Sequence, residues 1–226
     1  MARGSDRQAA PEVLPEAGQG GFVAYFGYGS LVNRATHRTD VVDCIPARLL
    51  GWRRHWRPRP DMPGFPAALL SVRREEGAGC DGLLVIDRAD NLAAVDAREA
   101  RYNRVRLHPS ELSLTPAVPA DCPIFVYEAK ADIPVHPQPP KILQSYLDAV
   151  LQGFRAVHGE EGVRRFLEET EGFGITRHLD RDEPVYPRAV KLSEDERMIF
   201  DQLLDRLAAK EHGDDIRAFD FDVDPG

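Results

Sequence analysis

The sequence predicts an α+β fold, a small, mostly antiparallel curved sheet or barrel with flanking C-terminal helices. Two observations predict it. Short apolar runs rich in β-formers crowd residues 22–127 with brief polar or glycine-bearing returns, whereas apolar residues at helical spacing fill the region after 140. The strands also follow one another too closely for a doubly wound sheet, which needs a helix after nearly every strand. At 226 residues the chain can bury a sizeable core without metal or disulfide staples.

Residues 1–20 are rich in Ala, Gly, Pro, Glu and Arg without periodicity and read as a disordered leader. A single domain is then expected over 21–212, and an acidic tail over 213–226. Phe22 to Phe26 is apolar and aromatic, a buried strand, and Gly27-Tyr28-Gly29-Ser30-Leu31 is a tight turn at its end. Asn33 to Thr36 suits a short loop or helical turn. Ile45–Trp56 is a strand with a basic rim, Pro58–Pro66 a loop, and Ala67–Arg73 a short strand. Glu75-Glu76-Gly77-Ala78-Gly79 reads as a hairpin connection to a strand over Cys80–Asp87 that is buried on both faces. Leu92, Val95 and the residues to Glu99 fit one or two turns of helix, with Asp90 as its N-cap. Arg101–Leu107 alternates as a half-exposed strand, which puts Glu99 at a helix-to-strand junction. Pro119–Pro123 is a turn, and Ile124–Tyr127 is a further strand ending near Asp132-Ile133-Pro134. Ile142 to Phe154 is an amphipathic helix. Val163, Phe166 and Leu167 suggest a second helix ending near Gly172. Ser193-Glu194-Asp195-Glu196 is a capping box that opens a third.

Composition narrows the function. A formal net charge of -8 gives no footprint for nucleic acid or for an anionic membrane, and an anionic ligand would need local positive potential. Cys44, Cys80 and Cys122 are scattered without a C-x-x-C, so buried free thiols in a reducing cytoplasm are expected. No apolar run has the length of a membrane span, and the N-terminus lacks a signal-peptide apolar region. The oligomeric state stays open.

The chemistry-bearing patterns are few. None of the seven histidines has metal-ligand spacing, so neither a metal nor a cofactor is expected, and His158 before Gly159 reads as a helix C-terminal cation. Gly27 and Gly29 begin a dinucleotide fingerprint that Val32 breaks, and Ser30 lacks the frame of a hydrolase nucleophile elbow. The turn's successive N–H groups can form a nest for a carboxylate. The arginines from Arg48 to Arg59, interleaved with Trp52 and Trp56, admit three readings: a snorkelling edge, a single-strand nucleic-acid surface, or a source of positive potential for a ligand. Glu99 sits among Arg98 and Arg101, a pattern common on solvated faces.

Taken together, three segments resemble the γ-glutamylcyclotransferase superfamily. Phe26-Gly27-Tyr28-Gly29-Ser30-Leu31 is similar to its signature turn, Asp96-x-x-Glu99 followed by Tyr102 to its acidic segment, and Val126-Tyr127 to the strand that brings a tyrosine to the pocket. Ala47-Arg48-Leu49-x-Gly51-Trp52 and the Pro-rich approach to the helix ending at His158-Gly159 resemble the ChaC-like branch, which acts on glutathione. The resemblance spans roughly residues 22–170. The Ala100-Arg101-Tyr102 that follows Glu99, and the extension over 175–226, depart from it.

The resemblance implies a cytoplasmic enzyme that turns a γ-glutamyl amide, glutathione foremost, into 5-oxoproline and a free amine. Glu99 would be the catalytic proton shuttle. Tyr28, Gly29, Ser30, Leu31 and Tyr127 would bind the small γ-glutamyl substrate, with no nucleic-acid or membrane partner. The alternatives are a cyclotransferase for another γ-glutamyl amine and a non-catalytic binding or regulatory module of the same fold.

Overall fold

The structure is a computed structural model that describes residues 21–58, 65–114, 122–131 and 136–211. The leader over 1–20, most of the 58–66 loop, the turn before Cys122, the strand end at 132–134 and the acidic tail lie outside the described residues.

β1 (Phe22–Gly27) is buried from Val23 onward, as a strand covered on both faces must be. Two 3₁₀ turns follow, Ser30–Val32 and Arg34–Thr36, and the Asn33 side chain accepts from Ala35 N–H at 3.0 Å to start the second. β2 (Asp43–Pro58) alternates buried and exposed residues along its length, with Trp52 and Trp56 inward.

β3 (Ala68–Arg88) pairs antiparallel with nearly all of β2 and is one strand, which corrects the expected hairpin at 75–79. The register jumps between Leu50 opposite Gly79 and Trp52 opposite Arg74, so 75–78 bulge out against Gly51. Gly51 and Gly77 take φ of 75° and 78° there. A glycine-bearing polar run signals a bulge as readily as a turn, and the length of β2 decides for the bulge.

A 3₁₀ turn, Ala89–Asn91, leads into α1 (Leu92–Arg98). Asp90 lies inside that turn rather than capping, and Asn91 holds the cap position without a side-chain capping bond. β4 (Tyr102–Leu107) and β5 (Leu112–Leu114) lie at opposite margins of the sheet, and β6 (Ile124–Ala129) joins β4 to β1. The order is β4-β6-β1-β3-β2-β5, with distinct outer strands, so the sheet stays open and no barrel closes.

β7 (Ile142–Leu143) runs directly into α2 (Gln144–Glu169). Gly159, at φ 68° and ψ −171°, breaks α2 into the two expected helices. His158 ends the first of these, as expected, and its ring spans to the sheet, Nε2 donating to the Gly82 carbonyl at 2.8 Å. β8 (Thr170–Glu171) adds to β2 in parallel, and β9 (Arg177–His178) pairs with β7. α3 (Glu194–Glu211) opens on the predicted box: Glu196 N–H donates to Ser193 Oγ at 3.1 Å, and Ser193 N–H donates to the Glu196 carboxylate at 2.8 Å.

The core lies between the sheet and α2, where Tyr25, Phe26, Trp52, Phe154 and Phe166 are fully buried and Phe200 of α3 joins them. Cys80 and Cys122 are buried and Cys44 is half-buried. Among the described residues no helix is long and apolar enough to cross a membrane.

Candidate active site

The end of β1 is shaped by close approach. A Cβ on Gly27 would stand 2.6 Å from that of Leu31, and one on Gly29 would stand 2.8 Å from the Tyr146 hydroxyl. Only glycine lets the chain double back here and bring Tyr146 of α2 against the turn. Tyr28 between them is buried, and its hydroxyl donates to the Tyr127 carbonyl. The first N–H groups of a 3₁₀ turn have no partner within it. Those of Ser30 and Leu31 begin such a turn at the cleft, where the Ser30 backbone meets the Tyr146 hydroxyl.

Arg54 of β2 braces the turn from behind. It is fully buried, donates through Nη1 to the carbonyls of Tyr28 at 3.1 Å and Asp81 at 3.0 Å, and through Nε to Thr170 Oγ1 at 2.7 Å. Its guanidinium lies 4.3 Å from the ring centroid of Phe166 and 4.9 Å from that of Phe154. A cation so placed fixes the turn without entering the cleft.

Glu99 terminates α1, and its carbonyl accepts from Tyr102 N–H at 2.8 Å as the chain turns into β4. Its side chain is 15% exposed and pairs with Arg98 Nε at 3.0 Å. Burial raises the pKa of Glu99 above its ordinary value, and the charges of Arg98 and Arg188 oppose the rise. Arg98 ties the acid to the turn: Nη1 donates to the Thr36 carbonyl at 3.0 Å and Nη2 reaches Ser30 Oγ at 3.4 Å. One helical turn earlier, Asp96 accepts from the Tyr127 hydroxyl at 2.7 Å and from Arg104 at 2.7 Å. The pair Asp96 and Glu99 thus divides its work, Asp96 locking β4 and β6 to α1 while Glu99 faces the cleft.

Tyr28, Gly29, Ser30, Leu31, Glu99 and Tyr127 line one cleft. It encloses about 860 Å³ when the solvent at its open mouth is counted. Tyr127 lies between the cleft and α1. Its proton is committed to Asp96, so it offers the cleft an acceptor oxygen and a ring edge rather than a donor. None of the described arginines from Arg48 to Arg57 lines the cleft. The cleft's cations are Arg98, Arg101 and Arg188, and its remaining walls come from Ala67–Leu70, Tyr102, Leu143, Tyr146 and Tyr186. Sequence reasoning missed Tyr146, Tyr186 and Arg188. Tyr146 sits in an apolar helical stripe that marks core, and the other two have no periodic neighbours.

No protein-family model matches the sequence, and no curated protein matches it significantly. A solved γ-glutamyl cyclotransferase superposes with a TM-score of 0.51 at 14% identity, over 80% of this chain and 99% of that one. The fold is that of a γ-glutamyl cyclotransferase. A human protein described as uncharacterized aligns at 15% identity over 80% and 98% of the two chains, with a TM-score of 0.49. A yeast γ-glutamyl cyclotransferase specific to glutathione aligns at 12% identity over 85% and 99%, with a TM-score of 0.40. At 14% identity the first likeness is one of fold. Within the cyclotransferase fold, the cleft at the end of β1 holds a largely buried carboxylate, three arginines and five tyrosines.

Proposed function

We propose that this chain is a γ-glutamyl cyclotransferase of the ChaC-like kind, converting a γ-glutamyl amide, glutathione foremost, into 5-oxoproline and the released amine. The observation that carries the reading is the convergence of the Gly29–Leu31 turn and the buried Glu99 on one cleft. The reaction suits so sparse a site. The substrate's own α-amine attacks its γ-carbonyl carbon and closes a five-membered lactam, and the amide C–N bond breaks. No protein nucleophile is needed. The protein must hold the γ-glutamyl arm in a near-attack conformation and move one proton from the attacking nitrogen to the departing one.

Glu99 performs that transfer, as base and then as acid. Its raised pKa matches the task, since a poor carboxylic acid is a better base. The N–H groups that open the Ser30–Val32 turn, with Arg98 beside Ser30, receive the glutamyl α-carboxylate. Tyr127 and Tyr102 bound the arm from the side of β4 and β6.

The test is release of 5-oxoproline from glutathione, γ-glutamyl-alanine and a γ-glutamyl alkylamide. Wild type should release it, and Glu99→Gln should lose roughly 100- to 10,000-fold in turnover while its circular dichroism is unchanged. Release from an amide other than glutathione would keep the mechanism and move the substrate. Near-normal turnover in Glu99→Gln would sink the assignment.

A further inference from the structure

The segment from Val185 to Val190 closes one side of the cleft. Tyr186 is buried and sets its ring edge-on to Tyr146, with centroids 5.0 Å apart. Its hydroxyl accepts from Arg188 Nε at 3.0 Å. Tyr146 in turn meets the Ser30 backbone. A line of contacts therefore runs from the turn through two tyrosines to Arg188. Arg188 is near enough to Glu99 for its charge to act there.

Most half-buried arginines among the described residues are matched by acids, whereas Arg57, Arg101 and Arg188 are not, and of these Arg101 and Arg188 line the cleft. Arg48, Arg53, Arg104, Arg155, Arg177 and Arg181 each bond at least one carboxylate. Among the described residues Arg188 has no carboxylate partner, and its Nη1 and Nη2 make no hydrogen bond to the protein. Yet acidic residues outnumber basic ones in this chain, 37 to 29. A half-buried cation left unmatched in a cleft is completed by an anion from outside. The free fork of a guanidinium fits a carboxylate in two parallel bonds.

We infer that Arg188 is a specificity-determining residue that holds a carboxylate on the leaving amine of the substrate. The inference rests on the cyclotransferase reading above, because it takes the α-carboxylate to lie at the Gly29–Leu31 turn. The substrate class is then a γ-glutamyl amide whose leaving amine is itself an acid, such as an amino acid or a short peptide. Neutral and cationic amines are disfavoured.

The experiment compares γ-glutamyl-alanine with γ-glutamyl-alaninamide, which has the same shape without the charge. Wild type, Arg188→Met, Arg188→Lys and Tyr186→Phe are used, each checked for folding by circular dichroism. In wild type the acid should have the lower KM. Arg188→Met should raise KM for the acid roughly 10- to 100-fold, the worth of a charge-assisted pair, and leave the alaninamide nearly unchanged. Arg188→Lys should restore part of the difference. Tyr186→Phe, which removes the phenol oxygen and keeps the guanidinium, should preserve the discrimination. If Arg188→Met weakens both substrates equally, Arg188 serves the α-carboxylate or the fold, and the inference is overturned. It is also overturned if neither substrate is weakened. Should wild type release 5-oxoproline from glutathione alone, glutathione and its C-terminal amide take the place of the two dipeptides. Should it release none from glutathione or from either dipeptide, the cyclotransferase reading fails, and calorimetric binding of the two dipeptides judges Arg188 alone. Tighter binding of the acid that is lost in Arg188→Met supports the carboxylate site, and equal binding removes it.

Discussion

The arginines along β2 and β3 and those around the cleft differ in what they face. On the sheet, Arg48 is held by Asp81 at 2.9 Å and Glu169 at 2.8 Å, Arg53 by Glu75 at 2.8 Å and Arg73 by Glu171 at 2.8 Å. Arg165 closes on Asp81 from α2 at 2.6 Å. In the cleft, Arg98 shares one carboxylate whose ionisation is opposed by burial, and Arg101 and Arg188 have no carboxylate partner among the described residues. The density of arginine in the sequence points to β2. The unmatched cations that a ligand in the cleft could meet are instead Arg101 and Arg188. Local charge depends on which cations the fold leaves unmatched, and a net charge of -8 does not reveal it.

Arg54 belongs to the β2 series by sequence and to the turn behind the cleft by contact, so it is where the contrast breaks most sharply. Arg54→Ala removes the donor for two buried carbonyls and opens a hole between Phe154 and Phe166. Both losses destabilise, and together they should cost about 3–5 kcal/mol in urea unfolding. Arg54→Met, which refills the space, should recover the packing share of stability and still lower turnover, because the Tyr28 carbonyl stays unbraced. A loss below about 1 kcal/mol in Arg54→Ala would show that water replaces the guanidinium. Arg54 would then join the dispensable rim.

How far the sequence revealed this arrangement follows from the range of each interaction. β1, β4, β6 and the helices announce themselves through local periodicity, and the capping box at Ser193 through a three-residue spacing. The bulge at Gly51 and Gly77 was read as a hairpin because only the partner strand distinguishes the two. Gly27 to Leu31 and Glu99 were found through their likeness to a known turn and acidic segment. Arg98 and Arg101 were visible but resembled a solvated face, since nothing local shows that Ser30 and Thr36 come to meet Arg98. Tyr146, Tyr186 and Arg188 enter from elements distant in sequence, which no window of periodicity can join.

Glu99 sharpens the contrast through pH. Its ordinary pKa is 4.5 and burial raises it in the folded chain. Above that ordinary value the native state therefore keeps a proton that the unfolded chain has released. Stability then falls as pH rises through the window up to the folded value. Glu99→Gln has no such slope, so its melting temperature should gain on that of wild type as pH rises from 4.5. Each unit of elevation corresponds to about 1.4 kcal/mol. The same elevation sets the ascending limb of kcat/KM, displaced upward from the carboxylate range. A melting difference that stays flat with pH would mean that the Arg98 pair cancels burial, leaving Glu99 an ordinary acid.

The smallest effect is expected on the rim, and it decides whether the two regions differ in kind. Arg73 is 41% exposed, and its partner Glu171 is 50% exposed. Water and salt screen such a pair, and holding two long side chains together costs entropy. Arg73→Gln should leave the melting temperature and 5-oxoproline release within error of wild type, at low salt as well as high. It removes one positive charge, as Arg188→Met does. If both variants slow turnover alike, and added salt erases both losses, the cleft would be sensing the summed field of the whole surface. If only Arg188→Met raises KM, and does so for the acidic substrate alone, the decisive quantity is one unmatched guanidinium at the site.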